Sequence, residues 1–241
     1  MTRRTHDIER FYIGLDLGQA QDFTALCVLQ YVDRINTDPT DDKDGYFLRY
    51  LHRYDLGTTY PDIVNDVVRL IGWLNDGKER ALGIDSNEVR LVIDMTGVGR
   101  AVFDLFSDAI EYAKLIGVSI TSGNEVSGNH EHHITRSDRF NTPKKELVST
   151  LQALYQTKRI RTGPDIEHID TLNKELLNFK AKITTAGNET FGAWREKDHD
   201  DLVLALALAA WFAEFTRCSG WKFVPKPIGR APTPEWLRGI P

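Results

Sequence analysis

The stretch Phe11-Tyr12-Ile13-Gly14-Leu15-Asp16-Leu17 decides the fold. It is apolar, too short for a helix, and bounded by Gly18 and the polar run Gln19-Ala20-Gln21-Asp22, which is the pattern of a central β-strand. A single carboxylate, Asp16, stands near its C-terminal end. An unpaired charge is expensive inside a core strand, so Asp16 needs either the amides of the following turn or a cation.

Working outward, Phe23–Tyr31 is β-rich and follows a short turn, so it should pair antiparallel with the first strand. The polar loop Asp33–Asp44 precedes a third strand, Tyr46–Leu56. Pro61 opens a helix to Trp73, with Ile63, Val64, Val67, Val68 and Ile71 at helical spacing. Val89–Met95 is a second buried-type strand, again with an acid near its end, Asp94. Thr96-Gly97-Val98-Gly99 turns the chain into a helix reaching Ala113, and Leu115–Ile120 is a further strand. Thr121–Arg139 reads as a polar loop or mobile hairpin. Pro143–Gln156 is an amphipathic helix with Leu147, Leu151 and Leu154 inward; Arg159-Ile160-Arg161 is a short extended piece, and Ile166–Asn178 is another helix. Phe179–Thr184 and Thr190–Trp194 flank the turn signal Ala186-Gly187-Asn188 and predict a β-hairpin. The last element opens at His199-Asp200-Asp201, is apolar all round to Phe215, and should be buried. The expected fold is α/β: a mixed sheet of five or more strands, helices on both faces, a C-terminal β-hairpin and a buried helix. The expected organisation is a flexible N-terminus over 1–10, one domain over 11–216 and a Pro-rich tail over 217–241.

Composition narrows the function classes. The 241 residues are 41% hydrophobic and 27% charged, as in an ordinary globular protein. The sequence has neither an apolar signal-peptide core nor a bilayer-length apolar run, and its cysteines, Cys27 and Cys218, form no disulfide framework; these features predict a cytoplasmic protein without a membrane partner. A net charge of −5 argues against gripping nucleic acid by bulk electrostatics. It is compatible with an enzyme whose acids hold divalent cations against phosphate.

Asp16, Asp94 and the Asp200-Asp201 pair each begin or end an apolar element. Singly, each has a structural explanation: Asp94 as a turn cap, Asp200 as a helix N-cap, either acid of the pair as a dipole partner. Jointly, three carboxylate sites on converging core elements repel one another unless a cation intervenes. Carboxylate oxygens suit Mg²⁺ or Mn²⁺, and two such ions would support phosphodiester hydrolysis. His199, just before the pair, is a candidate metal ligand, a partner behind the ligating acids, or a proton shuttle. Lys144 and Lys145 at a helix start, where the dipole disfavours positive charge, are candidate DNA phosphate contacts, together with Arg136 and Arg139.

Gly-Leu-Asp16-Leu-Gly with Asp-Phe-Thr-Ala, Leu-Val-Ile-Asp94-Met-Thr-Gly-Val-Gly, and His-Asp200-Asp201-Leu-Val-Leu-Ala-Leu-Ala-Leu-Ala resemble the nuclease domain of viral large terminase subunits. The segments beginning Asn141-Thr-Pro-Lys-Lys-Glu and Leu172–Phe179 extend the resemblance across residues 11–216. It implies an RNase H-like fold and metal-dependent endonuclease cutting of double-stranded DNA during genome packaging. Asp16, Asp94 and one of Asp200 or Asp201 would then be the catalytic metal ligands, and a packaging ATPase, a small terminase subunit or a portal the protein partners. The sequence has no G-x-x-x-x-G-K-[ST] phosphate loop, so the expectation is either the nuclease piece of a split or truncated protein or a stand-alone relative with another task. Three alternatives are a Holliday-junction resolvase-like nuclease, an actin- or sugar-kinase-like nucleotide-binding protein, and a non-catalytic subunit of the same fold. Ile-Gly-Leu-Asp-Leu-Gly is similar to the first phosphate hairpin of the kinase-like class, but no second such hairpin follows.

Overall fold

The chain's computed structural model describes residues 10–18, 22–32, 44–76, 88–110, 113–128, 137–163, 165–185 and 200–218, with side chains of 179–185 and 218 left aside. Its first strand, β1 (Arg10–Asp16), pairs antiparallel with β2 (Ala25–Val32), and β2 pairs antiparallel with β3 (Gly45–Arg53). This is the meander expected from the sequence. After helix α1 (Tyr60–Asp76), strand β4 (Glu88–Asp94) returns on the other side of β1, parallel to it. Helix α2 (Gly99–Ala109) then leads to β5 (Lys114–Thr121), parallel to β4.

The polar stretch before Pro143 holds more structure than its composition suggests. Ser127–Gly128 forms a short edge strand, β6, against β7 (Ser137–Pro143), and β7 lies parallel to β5. Alternation explains it: Asp138, Phe140 and Thr142 are buried while Arg139 and Asn141 are exposed, so half of a polar-looking segment faces the core. Helix α3 (Lys144–Gln156) follows at once, and β8 (Ile160–Thr162) pairs parallel with β3 at the opposite edge. Among the described residues, eight strands run in the order β6-β7-β5-β4-β1-β2-β3-β8.

Helix α4 (Ile169–Thr185) corrects the expectation of a strand over Phe179–Thr184, because that segment continues the helix. The β-formers Phe179, Ile183 and Thr184 are overridden by continuation from a helix already anchored by buried Leu172 and Glu175. The turn at 186–188 and the segment 190–194 lie outside the described residues, as do the N-terminus, the tail after 218, His199 and Arg136.

Helix α5 (Asp201–Cys218) is buried through nearly its whole length, as its all-round apolar sequence requires. It packs with α3 and α4 on one face of the sheet, against Tyr12, Cys27, Val92 and Val118. Helices α1 and α2 cover the other face, against Ile13, Leu15, Leu91 and Ile93. Gly14 makes close docking of α5 possible, since a Cβ there would overlap the Ala205 carbonyl. Further back along β1, the Tyr12 hydroxyl meets Thr216 Oγ1 at 3.3 Å. Moving from Gly14 to Tyr12 thus corresponds to moving forward along α5. The helix therefore runs antiparallel to β1, and its N-terminus stands at the C-terminal end of that strand.

Candidate active site

Asp16 and Asp94 follow the paired residues Leu15 and Ile93 on the adjacent parallel strands β1 and β4. Leu15 and Ile93 both face α1 and α2, so by strand alternation Asp16 and Asp94 both face α5. Both acids are buried, at 9% and 3% exposure. Neighbouring strands stand about 5 Å apart, and two unit charges at that separation repel by about 3 kcal/mol at an effective dielectric near ~20.

The surrounding backbone is held in place by specific bonds. Thr96 donates to Asp94 Oδ1 through both its amide, at 2.8 Å, and its hydroxyl, at 2.5 Å. The same hydroxyl accepts the Ile120 amide at 3.3 Å, tying the Asp94 turn to β5. Gly99 must be glycine for α2 to begin so near β4, because a Cβ would overlap the Asp94 carbonyl. Beyond Asp16, the Gly18 amide donates to Thr24 Oγ1 at 3.1 Å, and Tyr60 donates its phenol proton to the Gly18 carbonyl at 2.9 Å.

At the same end of the sheet, α5 begins with the Asp200-Asp201 step, whose members diverge. The Asp200 carbonyl accepts the Leu204 amide at 2.9 Å, so Asp200 occupies the N-cap position. An N-cap side chain ordinarily accepts the amide two or three residues further on. Here Glu175 of α4 meets both of those amides instead: its Oε2 accepts from Leu202 at 3.1 Å and Val203 at 3.2 Å. The Asp200 carboxylate faces α3, with Lys144 Nζ at 3.8 Å. Asp201 lies on the β3 side, where Arg53 approaches its Oδ2 at 3.3 Å and also pairs closely with Glu175. Arg53 belongs to the row Asp16–Ala25–Arg53 across three strands and lies over the Phe23 ring at 5.0 Å. Burial pushes the Glu175 carboxyl up to about 7, against the pull of Arg53 and the Val203 amide.

The structure therefore brings Asp16 and Asp94 together and sets Asp200 and Asp201 at the same end. Among the described residues, no three carboxylate, imidazole or thiol groups converge as a closed metal cage. A hard divalent ion does not need one, since Mg²⁺ is commonly held by one or two carboxylates with waters and substrate phosphate completing the shell. The donor set of buried carboxylate oxygens fits such an ion.

The candidate phosphate contacts separate. Lys144 stands beside Asp200, whereas Lys145 donates to Asn124 at 2.9 Å on the surface. Arg139 lies on the α2 side, paired with Asp104 at 3.2 Å and over the Phe103 ring. Trp211 and Phe212 are core residues, as expected. Sequence reading missed Thr96, Arg53 and Glu175. The Asp-x-Thr spacing of a side-chain turn could have flagged Thr96. Arg53 and Glu175 are single charges on ordinary amphipathic elements and carry no local signal.

A mixed sheet with a central antiparallel meander, helices on both faces and paired acids at the ends of β1 and β4 defines an RNase H-like domain. A family model described as the terminase RNaseH-like domain matches residues 13–211, and the chain belongs to that family. No curated protein matches the sequence. Among solved structures, it is similar to the human cytomegalovirus terminase nuclease domain, at 10% identity, 87% of this chain and 86% of that one, and a TM-score of 0.45. The large terminase nuclease from the thermophilic phage G20c matches at 20% identity, 83% and 81% coverage and a TM-score of 0.42. The large terminase (g2p) nuclease domain of bacteriophage SPP1 with bound Mn matches at 15% identity, 87% and 88% coverage and a TM-score of 0.41.

Proposed function

We propose that this domain is a metal-dependent endonuclease that hydrolyses phosphodiester bonds of double-stranded DNA, as part of a genome-packaging terminase. The observation that carries the reading is the placement of Asp16 and Asp94 side by side on the α5 face, with the N-terminus of α5 at the same end.

Asp16, Asp94 and Asp200 are the residues that would hold Mg²⁺ or Mn²⁺, with Asp201 tied to the Arg53 side. Two such ions, when bound, supply the Lewis acidity that activates water and stabilises the departing oxygen. Thr96 fixes the Asp94 rotamer through Oδ1. Lys144, beside Asp200 at the start of α3, would meet a phosphate oxygen of the strand being cut. Burial of the acids keeps their charge poorly screened, which raises their affinity for a divalent ion over a monovalent one. A packaging ATPase, a small terminase subunit and a portal are the partners this role would call for, in the cytoplasm of a host cell. Among the described residues, no helix is long and apolar enough to cross a membrane.

The test is incubation of the purified chain with supercoiled plasmid and Mn²⁺ beside an Asp94→Ala control. Nicking and linearisation by the wild type alone are expected. Equal cutting by both proteins, or none by either across a broad range of ion and salt conditions, would overturn the reading. A branched junction cut in preference to linear duplex would redirect it to a resolvase.

A further inference from the structure

We propose that Glu175 and Arg53 are positioning residues of the active site: Glu175 takes over the capping of α5, and Arg53 bridges Glu175 to Asp201, so that Asp200 is left facing the Asp94 flank. The proposal rests on the nuclease reading above and deepens it.

Three observations converge on it. First, the α5 amides of Leu202 and Val203, which an N-cap aspartate would normally engage, donate instead to Glu175 Oε2. The acceptor comes from a different helix, 27 residues away from Leu202 in sequence. Second, the other oxygen of the same carboxylate is paired with Arg53, and the same Arg53 nitrogen reaches Asp201 Oδ2 at 3.3 Å. One guanidinium nitrogen set between the two carboxylates draws both to itself by charge, and it does so from β3, in register with Asp16. Third, the two acids at the head of α5 are thereby sorted by side. Asp201 goes with β3 and α4, whereas Asp200 goes with Lys144 of α3. Helix α3 follows β7, and β4 with its Asp94 lies on that same side of β1 in the strand order. A helix terminus fixed by one carboxylate from α4 and one guanidinium from β3 cannot slide along β1 without breaking both. The separation of Asp200 from Asp16 and Asp94 is set in this way.

The experiment uses the full chain and reads Mn²⁺ affinity by calorimetry alongside kcat and KM for plasmid cutting, with circular dichroism and thermal melting to establish folding. Glu175→Ala is expected to weaken Mn²⁺ binding by about tenfold and to lower kcat with little change in KM, the range found when an outer partner of a metal ligand is removed. Glu175→Gln keeps an oxygen for both amides but turns its amide nitrogen toward Arg53, so it should fall between Glu175→Ala and wild type. Arg53→Met, which keeps the stem and removes the nitrogen that meets both acids, should lose about tenfold in Mn²⁺ affinity. Should Glu175→Ala fail to fold, Arg53→Met and Glu175→Gln carry the comparison. Arg53→Met with wild-type Mn²⁺ affinity and kcat would overturn the proposal, and so would a loss in Glu175→Ala that Glu175→Gln does not restore even in part. A wild type that neither binds Mn²⁺ nor cuts DNA sinks the nuclease reading together with this one. A wild type that cuts, beside variants that bind and cut equally well, sinks this one alone.

Discussion

Gly14 of β1 and Ala205 of α5 are in backbone contact, with no room between them for a single methyl group. This contact sets how deeply the buried helix sits on the sheet. It therefore sets the height of the Asp200-Asp201 step above Asp16. Gly14→Ala should push α5 outward and destabilise the domain by about 2 kcal/mol, the middle of the range for overpacking a filled core. Chemical denaturation would measure it. Cutting should fall further than the stability loss explains, because the two ends of the acid cluster part.

Thr96 is the hydrogen-bond partner that orients Asp94, through Oδ1. Thr96→Val removes the hydroxyl bonds to Asp94 and Ile120 while keeping the shape of the side chain. A loss of about tenfold in Mn²⁺ affinity is expected, with Thr96→Ser near wild type. Titration calorimetry on the two variants decides it.

Lys144 and Lys145 adjoin in sequence but differ in surroundings, one beside Asp200 and the other on Asn124. Lys144→Ala should weaken DNA binding and reduce the slope of log affinity against log salt by about one unit. Lys145→Ala should change both less. Fluorescence anisotropy over a salt series, in Ca²⁺ to suppress cutting, separates the two.

At the far end of α5, Glu214 receives Arg159, Arg217 and the Tyr46 hydroxyl, the last at 2.7 Å. Burial raises its pKa, but bonds from Arg217, Arg159 and Tyr46 outweigh that and bring it down to about 2. The folded value lies below the ordinary 4.5, so the stabilisation is present above about pH 4.5 and lost as pH falls toward 2. Glu214→Gln should lower stability at pH 7 by roughly 3 kcal/mol and flatten the acid limb of the stability curve in that window. Urea melts at stepped pH test this.

Lys114 of β5 and Asp138 of β7 form a close ion pair, 2% and 4% exposed. Burial holds the Lys114 ammonium below its ordinary range even with Asp138 beside it. Asp138→Asn, which leaves the lysine charge buried without its carboxylate, should cost about 3–5 kcal/mol, whereas replacing both residues by apolar ones of similar volume should be nearly neutral. Denaturation of the single and double variants gives the answer.

The order of elements was legible in the letters because each is an apolar run of characteristic period: β1 and β4 by their continuous burial, α5 by its lack of a polar face. The same runs exposed Asp16, Asp94 and Asp200-Asp201, since a carboxylate at the end of an apolar segment stands out. β7 was hidden, because its buried face includes Asp138 and Thr142, whose polarity masks the alternation. The continuation of α4 through Phe179–Thr184 was hidden too, because local β preference was outweighed by a helix already docked on the core.

What the sequence by itself determined is therefore the type of each core element and the acids that terminate them. Those follow from local periodicity and from the expense of burying charge. Only the tertiary structure decided that Asp16 and Asp94 share a face, that Glu175 rather than Asp200 meets the α5 amides, and that Asp200 and Asp201 turn to opposite sides. Those relations depend on strand order and on contacts between residues such as Arg53 and Glu175, 122 positions apart, which no local pattern encodes.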